Sequence, residues 1–207
     1  MKILVLAPHT DDAEWGCGAS IHKWLKNGAE VFHVAFSDAS HSLPEGFAKD
    51  TLRSEFHASN DILGVKPENS HIFNYAVRHF PSVRQQILED LINLRGDIEP
   101  DLVLCPSSYD THQDHEVICK ETFRAFKRSS ILGWELVWNN RTIELSYFEQ
   151  VDEENVRVKI DAVGAYESQV FRSPLYASLI RGLSEQRGVQ ISLPFAEAFE
   201  TIRIVSK

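Results

Sequence analysis

Cysteine is scarce in this chain. Its 207 residues include three, Cys17, Cys105 and Cys119, and none forms a Cys-x-x-Cys pair. An odd number without that spacing excludes a disulfide framework and a cysteine-rich zinc site. Positive charge is also short: 21 Lys and Arg stand against 30 Asp and Glu, a formal net charge of −9. The most basic stretch, Arg124 to Arg128, lies beside Glu121, so the basic patch that phosphate backbones require is missing and nucleic acid is not an expected partner. Long apolar runs are absent as well. Ile3 to Ala7 is followed at once by Pro8, His9 and two aspartates, which is too short for a signal-peptide core, and nothing approaches the roughly 20 apolar residues of a membrane span. These absences lead us to expect a cytoplasmic protein with no membrane span. The hydrophobic share of 43 % and charged share of 25 % are those of an ordinary globular chain, which excludes global disorder and coiled coil. With no repeat and no low-complexity linker, residues 1–207 read as a single domain.

What is present alternates. Ile3–Ala7 reads as a buried strand and Cys17–Asn27 as a helix stopped by Gly28. Val31–Phe36 is a second strand, and Glu45–Ile62 a helix with Leu52, Phe56 and Ile62 inward, ended by Gly64. His71–Asn74, Leu102–Cys105 and Glu135–Trp138 read as further strands, separated by helices over Pro81–Arg95 and Asp114–Phe126. Strand–helix–strand alternation with short connections requires parallel pairing and right-handed crossovers. The expected fold is therefore a Rossmann-like α/β domain: an open, mostly parallel sheet with helices on both faces. In the last third, Ile143–Glu149 and Val156–Val158 flank Val151–Asn155 as a hairpin would, Lys159–Gln169 and Leu175–Gly182 look helical, and Phe199–Val205 can close as a strand. This hairpin and these helices are expected to close the site.

Two polar clusters carry the chemistry. His9-Thr10-Asp11-Asp12 follows the first strand, and Asp110-Thr111-His112-Gln113-Asp114-His115 follows the fourth. In a sheet ordered 3-2-1-4-5, strands one and four are neighbours, and ligands bind at the switch point beyond their carboxyl ends. The clusters then face each other across one crevice. Two histidines and a carboxylate with an open fourth position form a hydrolytic metal site. His9 and Asp12, three apart on a turn, can face one point, and His115 can supply the third ligand. Zn2+ is the default ion, while Fe2+, Co2+ or Ni2+ suit the same donors. Asp11 is left beside the metal to take a proton from water. His112 and Asp114 form a candidate pair in which the carboxylate fixes the imidazole. The plainer alternative is that Asp12 caps a helix and the histidines are exposed at a helix start. A dinucleotide turn at Gly16-Cys17-Gly18 fails, because Ile21 stands where the third glycine would fall.

These motifs resemble those of the PIG-L/LmbE-like family of metal-dependent de-N-acetylases, which pairs His-x-Asp-Asp after the first strand with His-x-Asp-His after the fourth. The resemblance continues in Ala165-Tyr166-Glu167-Ser168-Gln169, in Arg187-Gly188 and in Phe195-Ala196-Glu197-Ala198-Phe199, and so covers nearly the whole chain. It implies hydrolysis of an N-acetyl group on a small-molecule amino-sugar substrate, with release of acetate. Carried over residue by residue, it implies His9, Asp12 and His115 as metal ligands, Asp11 as general base, His112 as oxyanion stabiliser or acid, and Asp114 as its tuner. One departure stands out: some relatives have a mobile tyrosine two residues before the first histidine of the second motif, where this chain has Asp110, with Tyr109 one step earlier.

The remaining candidates are weaker. Arg53 on the helix after strand two, and Arg78 after strand three, can reach a sugar hydroxyl or phosphate, or simply be surface residues. Asp38 follows strand two as a contact or a cap. Trp134 and Trp138 can stack on a sugar or belong to the core. A non-catalytic sugar- or nucleotide-binding module, and an amidohydrolase for a non-sugar amide, are the alternatives to the deacetylase. Aromatics in the last third leave a homo-oligomer open.

Overall fold

A computed structural model of the chain describes residues 1–170 and 174–206. Its principal elements are β1 (Lys2–His9), α1 (Asp12–Lys26), β2 (Glu30–Ser37), α2 (Thr51–Leu63), β3 (Ser70–Ile72), α3 (Arg84–Ile98), β4 (Leu102–Pro106), α4 (Gln113–Ala125), β5 (Ser130–Trp134), β6 (Tyr147–Val151), α5 (Glu153–Gly164), α6 (Glu167–Val170), α7 (Tyr176–Val189) and β7 (Phe195–Arg203). One sheet runs β3-β2-β1-β4-β5-β7-β6. The first five strands are parallel, and β7 runs antiparallel to both β5 and β6.

The apolar run of β1 is buried from Ile3 onward, as a central parallel strand covered on both faces must be. Its side chains alternate. Ile3, Val5 and Ala7 join Trp24, Phe56, Trp134 and Phe199 on one face. Leu4 and Leu6 join Phe36, Phe80 and Phe126 on the other. Ile21 of α1 packs in the first cluster and Ile118 of α4 in the second, so the helices that follow β1 and β4 lie on opposite faces. Their N-termini flank the gap where the strand order reverses.

Several boundaries differ from the sequence reading. The first helix begins at Asp12 rather than Cys17, which places Asp12 in its first turn. Cys17 interrupts it with φ −148° and ψ 21°. The backbone N–H groups of Ala19 and Ser20 donate instead to Glu197, at 3.3 and 2.7 Å. A Cβ on Gly16 would lie 2.7 Å from the Trp134 ring, so the glycines serve close packing. In α2 the inward residue is Leu63, while Ile62 is 40 % exposed. The fifth strand is Ser130–Trp134, not Glu135–Trp138: Glu135 is buried through Arg187, whose Nε and Nη2 donate to it at 2.7 and 2.8 Å. The expected hairpin at Val151–Asn155 is a helix start. Asp152 accepts from the Asn155 N–H at 2.8 Å and Asn155 Oδ1 accepts from the Asp152 N–H at 2.9 Å, a reciprocal cap. Val156–Val158 therefore belong to α5, and β6 pairs with β7.

Candidate metal centre

His9 is the last residue of β1, Asp12 the first of α1, and His115 lies in the first turn of α4. Strand and helix geometry thus deliver three donors to the switch point. His9 Nδ1 lies 2.9 Å from Asp12 Oδ2 and 3.4 Å from His115 Nε2, and His115 Nε2 lies 3.1 Å from Asp12 Oδ2. Ligands about 2.0–2.1 Å from a tetrahedral ion sit roughly 3.3 Å from one another, so this triangle of two nitrogens and an oxygen fits a zinc-like cation. The His9, His112 and His115 rings also group closely enough to share one ion.

Each of these two rings is held from behind. His9 Nε2 is 3.1 Å from Asp114 Oδ2, and His115 Nδ1 is 2.8 Å from Asp110 Oδ2. Such carboxylates fix the ring and raise its basicity toward a metal. Asp114 in turn accepts from the N–H of Arg78 at 2.6 Å and of Phe80 at 3.2 Å. This differs from the sequence reading, which paired the Asp114 carboxylate with His112. Asp114 meets His112 through its backbone, whose N–H donates to His112 Nδ1 at 3.2 Å. With Nδ1 accepting, a neutral His112 carries its proton on Nε2. The His112 N–H itself donates to Asp110 Oδ1 at 2.9 Å. The sequence places Asp110 in the second cluster but gives it no role; its position five before His115, on the loop entering α4, is the available signal.

The charges are strongly coupled. Burial alone would lower both ligating imidazoles, but Asp12 and Asp114 hold His9 up at about 9, and Asp12 and Asp110 hold His115 up at about 10. Burial pushes Asp12 the other way, and His115 and His9 outweigh it, keeping that carboxyl far below the usual range. A cation bound between these rings would displace both protons. Asp11 is raised to about 6, first by burial and then by the Asp12 charge, which suits a base working near neutrality. His112 is lowered by burial and by the neighbouring His115 and His9.

The turn that carries Asp11 is pinned from below. The Tyr166 hydroxyl lies 2.6 Å from the Thr10 carbonyl and 2.7 Å from Glu14 Oε1. Its single proton is shared between these two acceptors, and Ser59 Oγ also donates to Glu14 Oε1, at 2.8 Å. Burial raises Glu14 to about 8 against these donors.

Arg53 Nε donates to Asp38 Oδ2 at 3.0 Å, and Arg53 also bonds Asn74, which joins two candidates near the ends of β2 and β3. Arg78 is exposed with φ 73°, and it is its backbone that reaches Asp114. Tyr109 is half-buried, its N–H donating to Ser107 Oγ at 3.1 Å. Trp134 is core, whereas Trp138 is 54 % exposed. The three cysteines are buried and free.

A family model described as PIG-L, GlcNAc-PI de-N-acetylase, matches residues 4–126. The diacetylchitobiose deacetylase of Thermococcus kodakarensis is 26 % identical over 190 residues, spanning 81 % of this chain and 70 % of that protein. The structure of the N,N'-diacetylchitobiose deacetylase from Pyrococcus horikoshii superposes with a TM-score of 0.82 at 22 % identity, covering 97 % of this chain and 83 % of that one. The 4-carboxy-2-hydroxymuconate hydratase of Pseudomonas putida superposes with a TM-score of 0.79 at 18 % identity, covering 100 % and 98 %. The two structural likenesses show the fold alone. Since that fold carries both a deacetylase and a hydratase, the side chains and not the fold decide the reaction.

Proposed function

Because the chain belongs to the PIG-L family, we propose that it is a metal-dependent hydrolase, one domain over residues 1–207, that removes the acetyl group from an N-acetylated amino sugar and releases acetate and a free amine. The observation that carries this reading is the triangle of His9 Nδ1, Asp12 Oδ2 and His115 Nε2, with sides of 2.9 to 3.4 Å. These residues would hold the ion, with zinc the default. When bound, it supplies Lewis acidity toward the amide carbonyl and toward water. Asp11, beside the triangle, accepts the proton of the attacking water. His112 presents Nε2–H to the oxyanion that develops on the amide oxygen, and the proton that Asp11 takes from water is the one the departing nitrogen receives, passed on directly or by way of His112. Asp110 and Asp114 keep the ligating rings in register. The relatives' diacetylchitobiose substrates support an acetylated sugar as the substrate class.

The test pairs metal analysis with acetate release from N-acetylglucosamine and its conjugates. We expect about one metal per chain in the wild type, lost in His9→Ala and in His115→Ala. Asp11→Asn should keep the metal while kcat falls by about 100-fold or more. A wild type that takes up no zinc would overturn the hydrolase in favour of a binding module. Equal turnover of sugar and acyclic amides would overturn the substrate class.

A further inference from the structure

On the Asp11 side of the centre lies a cavity of about 380 Å³ lined by Asp11, Trp15, Trp138, Val163, Gln169 and Val170. An acetyl methyl would fill a small part of it; its size is that of a ligand pocket. Trp138 is 54 % exposed, yet its ring has an aromatic partner. Trp15 meets it edge-on, with centroids 5.0 Å apart and an interplanar angle of 87°, and Trp15 is itself set edge-on against Tyr176 at 6.5 Å. The opposite character is supplied by Asp11 and Gln169. Gln169 Nε2 donates to Ser168 Oγ at 3.0 Å, and that hydroxyl donates to Glu55 Oε2 at 2.6 Å, so a buried chain of bonds orients the amide.

This mixture selects among ligands. An alkyl chain would be content with the valines and indoles but would strip water from Asp11 and Gln169 without replacing it. A pyranose ring has an apolar C–H face, which suits the negative face of an indole, and a hydroxyl rim, which suits a carboxylate and an amide. We propose that this cavity is the pyranose subsite, with Trp138 as the platform on which a sugar ring of the substrate stacks and Gln169 as a hydroxyl partner. The assignment rests on the deacetylase reading for the reaction and identifies Trp138 as the residue that favours sugar amides over acyclic ones.

The experiment compares zinc-loaded wild type with Trp138→Ala and Trp138→Phe, using N-acetylglucosamine and N-acetylethanolamine. In Trp138→Ala the KM for N-acetylglucosamine should rise about tenfold with kcat held within about threefold, the pattern of lost uniform binding. Trp138→Phe should recover most of that loss, and the preference for the sugar amide should fall with it. An unchanged KM, or equal losses on the two substrates, would overturn the assignment. If the wild type releases acetate from neither compound, the reaction reading fails by itself, and the subsite is then judged by equilibrium titration with glucosamine. A saturable change in tryptophan fluorescence, lost in Trp138→Ala and kept in Trp138→Phe, supports it. No binding by the wild type, or equal binding by all three proteins, overturns it.

Discussion

His33 and the pair His9 and His115 are all buried, and their chemistry is opposite. His33, midway along β2, packs against Phe56 at 4.7 Å and has no charged partner among the described residues. Its Nδ1 lies 2.8 Å from Asn60 Oδ1, while Asn60 Nδ2 donates to the Phe56 carbonyl at 2.9 Å, so the His33 proton sits on Nδ1. Burial holds its pKa down at about 4. His9 and His115 face carboxylates and are held up at about 9 and 10 despite the same burial. Desolvation is common to both regions; the partner decides the sign. The carboxylates that face these two rings lie at the carboxyl edge of the sheet, where the loops after β1 and β4 supply the partners.

The harshest way to break the contrast is to give the ligating pair an amide, as His33 has. Asp12→Asn removes the negative charge that both rings face. Metal content should fall from about one per chain to near zero after dialysis against free metal at micromolar concentration, because a neutral amide replaces the anionic ligand. In the metal-free protein, NMR titration should show both imidazoles moving down toward the ordinary value. The wild type should release close to two protons per zinc at pH 7, since both rings are protonated there without metal, and its apparent affinity should rise with pH until about 9 to 10. Calorimetry in buffers of different ionisation heat reads that number directly.

A gentler change alters the carboxylates behind the rings. Asp110→Asn leaves all three donors in place but weakens the hold on His115, and Asp114→Asn does so for His9. Each should lower zinc affinity by about 10- to 100-fold. In the metal-free state Asp110→Asn should lower mainly the His115 pKa, and Asp114→Asn mainly that of His9. Equal shifts of both rings in either variant would refute this one-to-one backing.

The contrast also marks how far the sequence could be read. Alternation of apolar runs and helical patterns was enough to order β3-β2-β1-β4-β5, and that order alone brings His9, Asp12 and His115 together. Local spacing sufficed because His9 and Asp12 share one turn. The Asp114–His9 contact spans 105 positions and depends on where a side chain points at the start of α4, which neither spacing nor periodicity encodes; hence Asp114 was paired with its near neighbour His112. The stretch from Val151 to Asn155 suits a hairpin turn and a helix start equally, and only the Asp152–Asn155 reciprocal cap separates them. Glu135–Trp138 looked like a strand because its apolar residues match one, whereas tertiary contacts spend Glu135 on Arg187 and leave Trp138 at a cavity. His33 falls inside the second strand, Val31–Phe36, which the sequence already marks as apolar on both sides of it.

The smallest effect follows from His33 alone, and it separates the two regions on the pH axis. Its folded pKa of about 4 lies below the ordinary 6.5. Between those values the unfolded chain binds a proton that the folded protein refuses, so stability falls as pH drops from 6.5 toward 4, by at most about 1.4 kcal/mol per pH unit. The metal-free ligand pair acts in the other direction and in another window. Its raised pKa values give stability that is complete below 6.5 and lost as pH rises toward 9 and 10. Denaturant unfolding of metal-free wild type and His33→Gln between pH 4 and 10 resolves the two. The difference between the proteins should shrink on acidification below 6.5 and stay constant above it, since the substitution leaves the upper window untouched. A difference that instead varies above pH 7 would mean that His33 and the metal centre are not the independent regions their partners make them.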